Sequence, residues 1–149
     1  MDITFGPLTE NDLPAAFELC MRTFSMDTPA EEVRKVYSRF KDDPYYHFIV
    51  GKVDGKVAAY TTMVIYYNLF DGDYPVAALW YVCVDEQYRR CGIGTKMFRY
   101  IEALAKEHGC ELISFTAESR NTGAHEFYRL AGYSDTKETA FVKYFFEEE

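Results

Sequence analysis

The sequence has few basic residues for its length. Its 16 Lys and Arg stand against 24 Asp and Glu, which gives a formal net charge of −8. A protein that follows a phosphate backbone needs a basic face, so no nucleic-acid partner is expected. The acidity suits a small cationic or amine-bearing substrate, although solubility alone explains an acidic surface at least as often.

Long apolar runs and metal-binding spacings are also missing. No apolar stretch approaches the about 20 residues that span a bilayer, and the first residues lack a cationic region followed by an apolar one. The four cysteines form no C-x-x-C pair and no zinc-type spacing with the three histidines. We therefore expect a cytoplasmic protein with reduced thiols, no membrane partner and no metal site.

The composition itself is that of one folded domain. The 149 residues are too few for two independent cores and a linker, and 48% of them are hydrophobic. Residues 1–149 are therefore expected to form a single domain.

Turn and spacing signals predict alternating strands and helices. Thr9 is expected to cap a first helix, and a capping box at residues 28–31 to open a second one that closes before Pro44. Asp54-Gly55 predicts a tight hairpin turn. Strands are expected near residues 3–5, 47–53, 56–67, 76–84, 112–117 and 139–146, and further helices at 93–108 and 121–130.

The order of these elements predicts the fold class. A helix between the strands at 76–84 and 112–117 makes a βαβ crossover, so part of the sheet should be parallel. We expect an α/β (α+β) fold, with a mixed, twisted sheet of about six to seven strands and about four helices on its two sides.

The segment after the fourth predicted strand carries the clearest chemical signal. A nearly continuous apolar strand runs through a short polar turn into Gly92 and Gly94, which open a helix. The free N–H groups of a first helical turn and the positive end of the helix dipole form an anion cradle. Arg89 and Arg90 add charge that fits a pyrophosphate, although the glycines would also serve a simple tight turn.

This segment does not fully match either of two known phosphate-binding loops. A Walker loop needs Gly-Lys followed by Ser or Thr, and here Thr95 precedes Lys96. A dinucleotide fingerprint needs a third glycine, where this chain has Met97, yet Glu118 lies near the place of a ribose-binding acid. A dinucleotide-binding enzyme therefore stays a weak alternative.

A second segment, residues 121–133, gives the pattern N-x-x-A-x-x-F-Y-x-x-x-G-Y. Together with R-x-x-G-x-G at residues 89–94, it resembles the GNAT-type N-acetyltransferase superfamily. The resemblance spans essentially the whole chain and is sharp from about residue 76 to residue 133. It implies a GNAT-like fold and transfer of an acetyl group from acetyl-coenzyme A to a primary amine of a small molecule or peptide, by direct attack in a ternary complex.

The resemblance also implies roles for particular residues. The turn would hold the pyrophosphate of acetyl-coenzyme A, the fourth strand would pair with its pantetheine arm, Asn121 would contact the cofactor, and Tyr128 would lie beside the sulfur and protonate the departing thiolate. The implied cofactor-binding residues are Val82, Cys83, Val84, Arg89, Arg90, Cys91, Gly92, Ile93, Gly94, Thr95, Asn121 and Tyr128, with Tyr128 also catalytic.

The sequence departs from the family where many members place a glutamate base. The aligned positions hold Trp80 and Thr116, and Glu118 is the nearby acid that would share a strand face with Thr116. The missing base keeps open a second alternative, a coenzyme A-binding regulatory module without turnover. Dimerisation is common in the family, so a homodimer is compatible with the resemblance, although no exposed apolar stripe demonstrates one.

Overall fold

The structure is a computed structural model that describes residues 1–146. The chain forms two compact units, residues 1–115 and residues from 116 onward. The first unit holds a five-stranded sheet, and the second holds one helix and a long irregular segment. Within the described residues, no helix combines the length and the apolar character that crossing a membrane requires.

The elements follow the predicted order. The strands are β1 (Ile3–Pro7), β2 (Tyr46–Val53), β3 (Lys56–Tyr66), β4 (Val76–Val84) and β5 (Leu112–Ser114), and the helices are α1 (Leu13–Thr23), α2 (Ala30–Phe40), α3 (Ile93–Glu107) and α4 (Thr122–Leu130). The sheet order is β1-β2-β3-β4-β5. β1 to β4 pair antiparallel, and β4 pairs parallel with β5 across the α3 crossover, which confirms the mixed sheet.

The first unit packs helices on both faces of its sheet. Leu13 and Ala16 of α1 lie against Val50 of β2, with Tyr37 of α2 beside them. On the adjacent position of β2, Gly51 faces the Phe5 ring, which stacks on Tyr100 of α3. Neighbouring strand residues point to opposite faces, so α3 covers the face that α1 and α2 do not. Its buried side is formed by Ile93, Met97, Phe98, Ile101 and Ala105.

Several sequence predictions about local structure were wrong. The described residues contain five strands instead of about six to seven, because residues 139–146 form no strand. In addition, β5 ends at Ser114 and not at residue 117. Alternation of apolar and polar residues is compatible with a strand, but a strand forms only where its backbone pairs with a neighbour. Phe141 and Phe145 are exposed, so their apolar side chains are not packed against a sheet. The expected capping box of α2 is absent too, since Pro29 occupies the N-cap and no side chain bonds there.

The start of α1 is organised differently from the prediction. Thr9 precedes a short 3-10 turn, and both its amide and its hydroxyl donate to the Asp12 carboxylate, at 3.4 and 2.8 Å. Lys52 of β2 adds an ion pair to Asp12 at 2.9 Å. Thr9 therefore stabilises the turn before α1 and not α1 itself.

Candidate active site

The predicted anion cradle is a tight turn between β4 and α3. A single 3-10 turn, Glu86–Tyr88, follows the strand, and the Asp85 carboxylate accepts a hydrogen bond from the Gln87 amide at 3.2 Å. Arg90 and Gly92 then adopt left-handed backbone angles, with φ of +67° and +77°. These two residues redirect the chain so that α3 begins at Ile93.

The surroundings of Gly92 are open. A Cβ there would meet no atom of the described residues within 4 Å, so the backbone angle and not crowding requires the glycine. No side chain in the described part of the chain caps α3, and the amides of its first turn lack intrahelical acceptors. Arg89 and Arg90 are exposed beside them. Free space, amides and two cations at one helix N-terminus are a chemical match for a diphosphate.

The outer edge of β4 offers a second feature. In the described part of the chain, β5 pairs with β4 only at Val76, Ala77 and Ala78. The rest of β4, including Val82 to Val84, has its β5-side backbone groups outside the ladder, where an extended ligand can add like a strand. This stretch leads directly into the glycine turn, so the structure brings the two predicted cofactor segments of the first unit together.

A bulge interrupts β4 within this stretch. Tyr81 and Val82 oppose Thr61 alone on β3, and Tyr81 has a left-handed φ of +59°. The buried Thr61 hydroxyl donates to the Trp80 carbonyl at 3.1 Å. A bulge re-aims the peptide groups and side chains around it. Trp80 is 56% exposed although it lies in the middle of a central strand. Nothing in the local sequence pattern signalled this bulge.

The Cys83 side chain is committed to packing. It is buried on β4, and its thiol lies 3.9 Å from the thiol of Cys20 on α1. Cys83 therefore offers a ligand its backbone and not its sulfur. The pair was not predicted, because 63 residues separate its members and no local motif marks them.

The second unit carries the two other predicted residues, both on α4. Asn121 is the N-cap, and its side-chain oxygen accepts a hydrogen bond from the Ala124 amide at 3.1 Å. Tyr128 lies near the other end of the helix, half-buried, with its ring 5.6 Å from that of Phe127. Asn121 thus has a structural role in α4 in addition to the cofactor contact expected of it.

The acid and the histidines near these segments have other partners. Glu118 does not share a strand face with Thr116, since neither belongs to a strand, and it forms an exposed ion pair with Arg120 at 3.5 Å. The His125 ring bonds the Glu118 carbonyl at 2.8 Å. The His108 ring bonds the Leu104 carbonyl at 3.0 Å. Among the described residues, no group of three or more His, Cys, Asp or Glu side chains is placed to hold a metal ion.

A strand with an open edge that leads into a helix N-terminus without a side-chain cap is a geometry found in α/β proteins that bind phosphate-bearing cofactors. Comparison with known proteins narrows this class. Residues 13–133 match the family described as "Acetyltransferase (GNAT) family". The chain belongs to this family, whose enzymes are acyltransferases that use acetyl-coenzyme A. Membership removes the dinucleotide-binding alternative.

Individual relatives are distant. An aminoglycoside N(6')-acetyltransferase type 1 from Acinetobacter genomosp. 13 is 33% identical over 69 residues, which are 46% of this chain and 47% of that protein. The chain thus matches about half the length of this relative. A putative acetyltransferase from Agrobacterium tumefaciens str. C58 superposes with a TM-score of 0.85 at 22% identity, over 95% of this chain and 99% of that one.

A further solved structure contains a coenzyme A derivative. AAC(6')-Iy in complex with the bisubstrate analogue CoA-S-monomethyl-acetylneamine has a TM-score of 0.81 at 14% identity, over 97% of this chain and 99% of that one. At these identities the structural likenesses establish the fold, and the family match establishes the enzyme class.

Proposed function

We propose that residues 1–149 form a single N-acetyltransferase domain that transfers the acetyl group of acetyl-coenzyme A to a primary amine of a small molecule or peptide, by direct attack in a ternary complex. The observation that carries the proposal is the turn after β4. Gly92 in a left-handed conformation, with open space around it, leaves the first amides of α3 free beside Arg89 and Arg90.

The residues of the first unit fit the donor. The amides of residues 91–95 and the guanidinium groups of Arg89 and Arg90 would hold its diphosphate. The outer backbone of Val82, Cys83 and Val84 would pair with its pantetheine arm. When bound, acetyl-coenzyme A supplies a thioester carbonyl that an amine can attack. In the second unit, Asn121 would add a polar contact.

The chain then contributes two functions to the reaction. A backbone N–H at the β4 bulge, turned out of the ladder at Tyr81, would donate to the carbonyl oxygen as negative charge develops there. The Tyr128 hydroxyl would give a proton to the departing sulfur. Both groups would act on the thioester of the donor. Neither of them would remove the proton of the amine.

No side chain named so far is assigned as the base that takes the amine proton. Trp80 and Thr116 occupy the positions where many family members have a glutamate base, and Glu118 is exposed and paired with Arg120. We propose that the amine arrives neutral or loses its proton to water held by backbone carbonyls. Activity should then rise with pH toward the pKa of the amine itself.

The acceptor class is suggested by charge and by aromatic exposure. The net charge of −8 favours cationic acceptors, and the exposed Trp80 ring on β4 offers a face for an ammonium group. The Acinetobacter relative is named for aminoglycoside acetylation, so aminoglycosides and other polyamines are the first acceptors to test. The four free cysteines support a cytoplasmic location, and a homodimer would agree with the family.

The proposal is tested in two steps. Isothermal calorimetry should give saturable heat with acetyl-coenzyme A, and an acceptor screen read by free thiol release should find an amine that turns over. Failure to bind the donor at millimolar concentration would overturn the proposal. Binding without turnover on any amine would instead favour a coenzyme A-binding regulatory module.

A further inference from the structure

Three side-chain contacts connect the C-terminal part of α1 and the residue after it with the C-terminal part of β4 and the residue after it. The Cys20 and Cys83 thiols lie 3.9 Å apart. Next to them, Arg22 pairs with Asp85 at 3.3 Å. Phe24, just after α1, packs edge-on against the Tyr81 ring at 5.1 Å between centroids. One of the two thiols therefore belongs to β4, the strand proposed to bind pantetheine, and the other belongs to the helix packed against it.

The two thiols differ in access and in acidity. Cys20 is partly exposed, whereas Cys83 is 5% exposed. A hydrogen bond from Cys83 lowers the pKa of the Cys20 thiol, against the effect of burial. The same hydrogen bond, together with burial, raises the pKa of Cys83. The reachable thiol is therefore the more acidic one, and its neighbour stays protonated next to it.

We propose that Cys20 and Cys83 are a peroxide-sensitive dithiol whose oxidation to a disulfide ties α1 to β4. The Cys20 thiolate attacks hydrogen peroxide, so that an S–O bond forms, the O–O bond breaks, and the released hydroxide takes a proton to become water. The Cys83 sulfur then attacks the sulfenic sulfur. The S–S bond forms, the S–O bond breaks, and the Cys83 proton leaves with the hydroxide as a second water.

The bond requires the two sulfurs to move closer together. The sulfurs, 3.9 Å apart, must approach by about 1.9 Å to reach a disulfide length of about 2.0 Å. Cys83 is held in the sheet through its pairing with Tyr60 on β3, so the sulfurs would come together by rotation of the two side chains, by a shift of α1, or by both. On the proposed function, a covalent bond between α1 and Cys83 constrains the strand that binds the donor. Oxidation should therefore weaken acetyl-coenzyme A binding.

The two remaining cysteines lie outside this contact. Cys91 is exposed and lies in the proposed diphosphate turn. Cys110 lies between α3 and β5, and burial raises the pKa of its thiol. Cys110 thus provides a matched control outside the proposed binding residues.

The test combines peptide mapping with donor binding. Reduced protein is treated with hydrogen peroxide, and unreduced digests are analysed by mass spectrometry. We expect a peptide pair linked through Cys20 and Cys83 in the wild type and in Cys110→Ser, and none in Cys20→Ser. Acetyl-coenzyme A affinity should fall about tenfold on oxidation and recover with dithiothreitol. In Cys20→Ser, the affinity should not change at peroxide concentrations at which the mapping finds Cys91 still reduced.

Each result bears on a different part of the inference. Absence of the linked peptide at peroxide concentrations that already oxidise Cys91 overturns the dithiol site. A linked protein with unchanged donor affinity overturns the regulatory consequence. Failure of the proposed function shows separately, because reduced protein would then bind no acetyl-coenzyme A while the mapping result would still stand.

Discussion

The buried hydroxyl of Thr61 on β3 donates to the backbone carbonyl of Trp80 on β4, 3.1 Å away, at the point where β4 bulges. At the bulge, the regular backbone hydrogen bonds between β3 and β4 are interrupted. The Thr61 side chain supplies a hydrogen bond there in their place. Because the carbonyl belongs to the stretch proposed to face the thioester, Thr61 connects the stability of the sheet with the shape of the site.

Replacing Thr61 with Val keeps the shape and removes the hydroxyl. The Trp80 carbonyl would lose its partner, and we expect the free energy of unfolding to fall by about 1 to 2 kcal/mol. Urea denaturation followed by circular dichroism measures the change. Thr61→Ser, which retains the hydroxyl, serves as the control for the hydrogen bond. If the Val variant is as stable as the wild type, the bond does not hold the bulge.

Replacing Gly92 with Ala tests the turn before α3. The left-handed φ of +77° is unfavourable for alanine, although its Cβ would meet no neighbour. We expect a loss of stability of about 1 kcal/mol and a weaker affinity for acetyl-coenzyme A, measured by calorimetry. Gly123→Ala in α4, where the added Cβ is equally unobstructed, should be neutral or slightly stabilising. Unchanged donor affinity in Gly92→Ala would argue against a cradle at this turn.

Replacing Tyr128 with Phe tests the proposed acid. Only the hydroxyl is removed, so turnover should fall by about 10²-fold while donor affinity stays close to that of the wild type. Steady-state kinetics and calorimetry separate the two quantities. Tyr144→Phe, which removes an exposed hydroxyl elsewhere in the second unit, should leave both unchanged. An equal loss of turnover and affinity would assign Tyr128 a structural role.

Replacing Trp80 with Ala tests the acceptor face. An exposed indole that contacts an ammonium group contributes to binding of the amine and not of the donor. We expect KM for a cationic amine to rise about fivefold, with a smaller rise in Trp80→Phe, which keeps a ring. The KM for acetyl-coenzyme A should not change. A rise confined to the donor KM would place Trp80 on the cofactor side.

His47 predicts a pH dependence of stability. Burial and the neighbouring His108 ring hold the pKa of His47 below its usual value near 6.5, against a hydrogen bond to the Pro44 backbone. Among the described residues, the His47 Nε2 atom is buried without a hydrogen-bond partner. The unfolded chain therefore binds the proton more readily. Stability should be full above about pH 6.5, fall as the pH drops below that value, and level off below the folded-state pKa.

Denaturant unfolding at pH 7.5 and pH 5.5 measures this dependence, with the two pH values chosen about one unit either side of the usual histidine pKa. In His47→Gln, which cannot titrate, the difference in stability between the two pH values should be smaller than in the wild type. An identical difference in both proteins would show that His47 does not contribute.

Much of the fold was predictable because its signals are local. Asp54-Gly55 defines the hairpin between β2 and β3, and the spacing of Ile93, Met97 and Ile101 defines the buried face of α3. The parallel pairing of β4 and β5 followed from the helix between them. Residues 139–146 show where prediction from local signals fails. Their alternating pattern indicates a possible strand, but it does not indicate whether a neighbouring strand is available to pair with it.

The candidate site also combines features that the sequence predicts with features that only the structure shows. The glycine turn and the α4 segment are short patterns, so the amino-acid sequence by itself determined the family and the position of the proposed diphosphate cradle. The bulge at Tyr81, the hydroxyl of Thr61 on the Trp80 carbonyl and the approach of Cys20 to Cys83 were decided only by the tertiary structure. Each joins residues far apart in the chain, and such contacts depend on sheet register and helix packing, which no local spacing encodes.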